Sequence, residues 1–372
     1  MREIGSDFEF PFGALFGSHL RSTRAEAGLE TAYLASGRDA LHWIILSLGL
    51  QRGSRVLLPS YLCEEVVAPF LAHGMDVDFY RVTRDLQVDR ADLGRRLISE
   101  TRLVLYIHYF GFPTEFPGKP VASMAPSAVV IEDSSHSFLS RFDAAQGHGD
   151  IWFASYRKLL PLPDGAVVCW SGKSVQTFHP FRAHNSLGHV AAVGYRSVGA
   201  MLKSLWLLRP GLFPKRVFRQ FFFWSRRRLE HYSKPAPMSM VSKRLLKHMD
   251  IEGMVSARRR NFSHLLSALD GSEEVRPLYS SLPEGVCPLG FPLLAEDRPR
   301  LLQHLIESKV YPPVHWELPG LVPRSEFPDS WHVSDRILTL PVDQRYDEED
   351  MARIAGLVRS FRSQKVLWAA GR

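Results

Sequence analysis

Several short runs in the first half of the chain have continuous apolar centres: "SRVLLP" (54–59), "RLVLYIHYFG" (102–111), "AVVIE" (128–132) and "AVVCW" (166–170). Each is one strand long, and none alternates polar with apolar. A strand that is apolar on both sides must be covered on both faces. The segments between them carry a helical period. "ALHWIILSLGL" (40–50) sets Leu41, Ile44, Ile45 and Leu48 at i, i+3, i+4 and i+7, which predicts a helix with a wide buried face. "EEVVAPFLAHG" (64–74) predicts a helix ending at Gly74, with Pro69 its weak point. "DVDFYRV" (76–82) and "DIWFASY" (150–156) predict strands, and "DRADLGRRLI" (89–98) a capped helix. The alternation implies an α/β fold with a mostly parallel central sheet sandwiched by helices. In such sheets, ligands bind beyond the carboxyl ends of the strands.

A chain of 372 residues exceeds a common single core, so two units are expected. The large one is placed at 1–240 and a smaller C-terminal α+β domain at 241–372. Within the first, about 200–232 changes texture: "MLKSLWLLRPGLFPKRVFRQFFFWSRRRLEHY" is aromatic and basic, without an acid until Glu230. It is either an insertion packed on the large domain with its arginine heads in solvent, or a membrane-surface contact through about 205–228. Residues 240–269 predict a long helix interrupted near Gly253. Small strand and helix units follow: "GVCPLGFPLL", "RPRLLQHLIESKV", "ILTLPV" and "DEEDMARIAGLVRSF".

The net charge of +7 suits anionic ligands such as phosphates or nucleotides. Cys63, Cys169 and Cys287 are too scattered for a disulfide framework or a zinc site, so no metal is expected. The start shows no basic and apolar leader pattern, and no apolar run reaches the ~18 residues of a membrane span. A reducing cytoplasm is the expected setting.

Three features then line up in order. "SGRDAL" (36–41) opens the first helix, where Ser36 and Gly37 meet unpaired N–H groups that form either a phosphate cup or a plain N-cap. Asp133 ends an apolar strand beside Ser134, Ser135 and His136. A carboxylate there pairs with a protonated ring nitrogen or simply starts a loop. Lys158 follows the next strand, either as a Schiff-base lysine or as a surface cation. Phosphate cup, strand-tip acid and lysine are together what pyridoxal 5'-phosphate (PLP) requires.

The ordered segments "YLASGRDALHWIILSLGL", "RLVLYIHYFG", "VVIEDSSHS", "GDIWFASYRKLLPLPDGAVV", "VYPPVHWELP" and "ILTLPVDQRYDEEDMARI" resemble the DegT/StrS-type sugar aminotransferases. These are fold-type I PLP-dependent transferases, similar in architecture to aspartate aminotransferase. The resemblance covers roughly 30–360. It implies Lys158 as the Schiff-base lysine and Asp133 as the partner of the pyridine nitrogen. It implies His136 near the ring hydroxyl, and Ser36, Gly37, Arg38 and Ser155 on the phosphate side. His108 and Tyr109 would flank the cofactor. The aromatic that stacks on the ring would fall near Cys63, with Tyr61 an alternative. The departures are a shortened serine-to-lysine stretch, "SYRK", and a reduced loop, "PLPDG". The family's Asn-x-Arg-Met, which reaches the phosphate across the dimer, keeps only Met238-Ser239; Arg182 or Asn185 is a candidate replacement.

By the same resemblance the reaction moves an amino group from an amino acid, L-glutamate, to a keto sugar, usually nucleotide-linked, in polysaccharide or secondary-metabolite biosynthesis. A homodimer is implied. A sugar dehydratase-like relative, or a degenerate or membrane-associated binding relative, is the alternative. "SYRK" as the S-x-x-K of serine acyl transfer lacks its S-D-N and K-T-G companions, and "SGKS" (171–174) lacks the first P-loop glycine, Val167 standing there. The arginine triplets at 226–228 and 258–260 would suit nucleic acid on charge alone; no nucleic-acid partner is expected.

Overall fold

The computed structural model describes residues 2–15, 29–115, 117–141, 149–171, 178–229 and 234–362. A two-residue strand, β1 (Ile4–Gly5), opens the chain. The central sheet then takes β2 (Glu30–Leu34), β3 (Arg55–Pro59), β4 (Asp76–Tyr80), β5 (Thr101–Ile107), β6 (Val129–Asp133), β7 (Ile151–Ser155) and β8 (Ala166–Trp170). Their order is β2-β8-β7-β6-β5-β3-β4. From β4 to β7 every pairing is parallel, while β8 runs antiparallel to both β7 and β2. The expected mostly parallel sheet is therefore present. Because β3, β5, β6 and β7 share one direction, the residues after Pro59, Ile107, Asp133 and Ser155 all emerge at one edge. Strand β2 escapes a sequence reading because it is a half-exposed edge strand of mixed polarity, "ETAYL".

Helices α1 (Gly37–Ser47), α2 (Glu64–Ala72), α3 (Arg90–Arg96) and α4 (Gly118–Met124) connect these strands. The predicted apolar face of α1 is buried through Leu41, Ile44 and Ile45. The aromatic and basic stretch begins earlier than its composition suggests. It forms a hairpin of α5 (Leu187–Leu208) and α6 (Arg216–Leu229), and its residues 230–232 lie outside the described ones.

The predicted long helix is two, α7 (Met240–Leu246) and α8 (Ile251–Ala268). The break lies before Asp250, not at Gly253. The Asp250 carboxylate caps α8 by accepting from the Gly253 N–H at 2.9 Å, which seats Gly253 inside the first turn. Beyond it, β9 (Val275–Pro277), β10 (Phe291–Ala295) and β12 (Ile337–Leu340) make an antiparallel sheet in the order β12-β10-β9. Helices α9 (Arg298–Glu307), α10 (Pro328–Arg336) and α11 (Glu348–Ser360) complete this part. The two-residue strand β11 (Val310–Tyr311) pairs in parallel with β1, so the N-terminal residues are tied to C-terminal elements. No described helix is long and apolar enough to cross a membrane.

Candidate active site

Two acids end β6, and the period of two sends them to opposite faces. Glu132 is consumed by structure. Its carboxylate accepts from the Tyr106 hydroxyl at 2.9 Å and the Ser134 hydroxyl at 2.8 Å, and lies 3.2 Å from His108 Nε2. Asp133 lies on the other face, buried, accepting the Ser135 N–H at 2.8 Å. It makes no ion pair with a described residue. Burial raises its carboxyl above the ordinary range, opposed by hydrogen bonds from Ser135 and by the charge of Lys158. A buried carboxylate that lacks a cation fits a protonated ring nitrogen.

Lys158 closes a single 3₁₀ turn, Tyr156–Lys158, directly after β7. Its side chain is exposed, yet its charge is felt by four groups from three segments: Cys63, Asp133 with His136, and His315. The surface reading and the site reading thus meet, since the lysine stands at the mouth of the cleft floored by Asp133. The residue after it is anchored from the C-terminal part. Arg258, almost wholly buried, donates to the carbonyls of Leu159 at 3.1 Å and Leu289 at 2.9 Å. Arg259 donates to the Pro283 and Val286 carbonyls, so these two arginines of the triplet serve packing.

The histidines share a tautomer and divide by partner. His108 accepts the Thr114 N–H on Nδ1 at 2.8 Å and turns Nε2 to Glu132. Both ring nitrogens are therefore engaged, by Thr114 and Glu132, at the strand end. Tyr109 points into the core, donating to the Tyr61 carbonyl at 2.6 Å. His136 accepts the Phe110 N–H on Nδ1 at 3.3 Å, leaving Nε2 as its donor. Burial holds its pKa well below the ordinary value, so it stays neutral. Its ring lies against Trp316, centroids 5.2 Å apart at 29°.

His315 and Trp316 are site residues that no local signal in the sequence singles out. They reach the cleft from "VYPPVHWELP", and burial pushes the His315 imidazole down to about 3. Tyr61 is correspondingly not a free stacking platform. It is fully buried, its hydroxyl donates to the His315 carbonyl, and its ring tilts against Trp316 at 5.6 Å. Cys63 instead faces Lys158 and Asp133. Burial pushes its thiol up to about 11, which keeps it protonated.

At the other end of the cleft, the N-terminus of α1 abuts β7. A Cβ added at Gly37 would sit 3.4 Å from Ser155 Cβ and 3.7 Å from the Phe153 ring, so glycine keeps this approach open. Ser155 donates its N–H to Ser135 Oγ at 3.1 Å. The Ser36 hydroxyl is the N-cap of α1, accepting from the Asp39 N–H at 3.2 Å and donating to the Asp39 carboxylate. The hydroxyl is therefore committed to the cap. Arg38 and Arg157 lie near by. The Nε of each is buried without a partner, and neither makes an ion pair with a described residue. Burial first, then the charges of Arg196 and Arg38, pull the Arg157 pKa down to about 9, against the opposing charges of Asp7 and Asp164. Two neighbouring orphaned guanidiniums beside a helix N-terminus fit a phosphate dianion.

The shortened loop has its own logic. Asp164 of "PLPDG" is buried and accepts from Ser239 N–H at 2.8 Å, from both the Ser239 and Ser242 hydroxyls, and from His189 Nε2 at 3.0 Å. Burial alone would raise its pKa, but these bonds outweigh it and hold the carboxyl below the ordinary value. The following Gly165 has φ +134, and a Cβ there would meet Met238 at 2.8 Å. The loop after the lysine thus fastens α5 and α7 to the sheet.

Residues 28–180 match the model of the DegT/DnrJ/EryC1/StrS aminotransferase family. A curated relative, GDP-perosamine synthase of Escherichia coli O157:H7, is 22% identical over 147 residues, which is 38% of this chain and 40% of that protein. The putative sugar aminotransferase Spr1654 from Streptococcus pneumoniae, in its PLP-form, superposes with a TM-score of 0.69 at 13% identity, covering 96% of this chain and 98% of that one. The aminotransferase TlmJ from Streptoalloteichus hindustanus gives a TM-score of 0.63 at 18% identity, covering 88% and 84%. Residues 28–180 thus resemble the DegT/DnrJ/EryC1/StrS aminotransferase family, and the chain shares its α/β fold with these solved aminotransferase structures.

Proposed function

We propose that the protein is a PLP-dependent aminotransferase that moves an amino group from an amino acid, L-glutamate by family resemblance, to a keto sugar, nucleotide-linked, in polysaccharide or secondary-metabolite biosynthesis. The observation that carries the reading is the meeting of an unpaired buried carboxylate, Asp133, with Lys158 at one edge of a parallel sheet. PLP, when bound, supplies an aldehyde that condenses with amines and a ring that draws electrons from the substrate Cα.

The chain's own residues divide the remaining work. Asp133 accepts a hydrogen bond from the ring nitrogen and keeps its proton in place. Arg38 and Arg157 hold the phosphate, with the Gly37 N–H groups and Ser155 beside them. His136 offers its Nε2–H to the ring hydroxyl while Trp316 backs its imidazole. With the cofactor bound, the Lys158 amine would take the proton from the substrate Cα and return it two bonds away, beyond the shared nitrogen. We place the large domain at 1–240, the small one at 241–372, and read the working unit as a homodimer.

The test is borohydride reduction of the protein reconstituted with PLP, followed by peptide mass mapping. A cofactor-sized increment on the Lys158 peptide is expected, and conversion of the visible absorbance on adding glutamate assigns transamination. Absence of any reducible adduct at Lys158 sinks the proposal.

A further inference from the structure

Helix α5 is amphipathic the wrong way round. Its charged residues, His189, Arg196 and Lys203, are buried. Arg196 pairs with Asp7 at 3.1 Å and Lys203 with Glu9 at 3.3 Å, both on the N-terminal segment. Its exposed side is one apolar stripe: Leu187, Val190, Gly194, Val198, Met201, Leu205 and Leu208, spaced three and four apart along the whole helix. Leu187 is 91% exposed and Leu208 81%. At 1.5 Å per residue the stripe runs roughly 30 Å. Soluble surfaces seldom leave so long an apolar line uncovered.

Helix α6 flanks it. Gly199 admits α6 to close packing, where a Cβ would meet Phe221 Cβ at 3.1 Å. Trp224, 41% exposed, packs on Tyr195 at 5.5 Å, next to Gly194 of the stripe. Arg209, Arg227 and Arg228 around it are exposed and make no ion pair with a described residue. From residue 165 to 229 the sequence holds eleven lysines and arginines and no aspartate or glutamate.

We propose that the α5–α6 hairpin seats this protein on an anionic lipid surface, with the α5 stripe and Trp224 in the headgroup boundary and the arginines on the lipid charges. Charge decides between occupants. A second copy docked on the same face by a two-fold axis would bring like arginines together, with no acid from 165–229 to meet them. An anionic bilayer offers both the apolar sink and the counter-charge.

The test uses the full chain and vesicles of phosphatidylcholine, alone or mixed with phosphatidylglycerol, in co-sedimentation. The wild type should pellet with the anionic vesicles only, and less as salt rises. Leu205→Glu/Leu208→Glu should return it to the supernatant. Arg227→Gln/Arg228→Gln should weaken partitioning by roughly 30-fold, as expected for two basic groups near a charged surface. Circular dichroism and Tm of both variants should match wild type, since every changed side chain is exposed. The proposal is overturned if wild type stays in solution with both vesicle types, or if the variants pellet as wild type does. It is also overturned if the leucine variant changes only the molar mass in light scattering, which would make the stripe a contact between copies of this chain.

Discussion

At the strand-end cleft, charged groups are held without an ion pair; on the α5–α6 hairpin, apolar groups are exposed without cover. Asp133, Arg38 and Arg157 make no ion pair with a described residue, while Leu187, Leu205 and Leu208 stand in solvent. Both arrangements are unfavourable for the isolated chain, and each is relieved by something of the opposite character. A carboxylate and two guanidiniums suit a ligand with a cationic ring and an anionic tail. An apolar stripe amid arginines suits an anionic interface. Asp164 supplies the contrast: equally buried, but saturated with four hydrogen-bond donors. The lesson is that burial of a charge marks a candidate site only where its partners are missing.

Substitutions can break that comparison, beginning with the largest effect. Lys158→Ala should lower turnover by a factor on the order of 10⁴ and abolish the reducible adduct, measured by steady-state kinetics and mass mapping. Asp164→Ala should cost about 3 kcal/mol of stability by leaving His189 and two serines without their acceptor, read from denaturant unfolding. Because the folded pKa of Asp164 is depressed, its contribution is present above the unfolded carboxylate pKa. It is lost as pH falls through the folded value, so the gap between wild type and variant should close in acid.

Arg38→Ala or Arg157→Ala should weaken PLP binding by roughly tenfold to a hundredfold, the range of one charge-assisted bond, in a fluorescence titration, and leave Tm of the cofactor-free protein unchanged or higher. Asp133→Asn should act in opposite directions on two readouts. Its raised folded pKa means that stability falls as pH rises from the unfolded to the folded value, because the folded state binds more protons there. The asparagine variant should therefore raise the cofactor-free Tm at neutral pH by about 2 °C while depressing activity of the loaded protein. Smallest of all, Leu205→Glu/Leu208→Glu should shift Tm by less than about 0.5 kcal/mol equivalent and leave PLP affinity untouched, which separates the hairpin from the cleft.

Much of the fold was legible because it depends on local pattern. Unbroken apolar runs require a sheet covered on both faces, and such a sheet puts the ends of β3, β5, β6 and β7 at one edge. Asp133 and Lys158 could be named from the linear order because each lies at a strand end. The roles of their neighbours could not. His108 and His136 look alike in sequence, and only their hydrogen bonds, to Glu132 and Thr114 in one case and to Phe110 in the other, tell them apart. Ser36 read as a cap ahead of a phosphate cup, and Asp39 holds its hydroxyl.

What the sequence by itself determined is the alternation of elements, the place of the acid and the lysine at strand ends, and the acid-free basic stretch. These follow from period, length and composition, which are properties of neighbours along the chain. The tertiary structure alone decided that His315 and Trp316 wall the cleft, that Arg38 and Arg157 stand together unpaired, and that α5 turns its leucines to solvent and its cations inward. Each of these depends on groups distant in sequence meeting or failing to meet, and no local pattern encodes a missing partner.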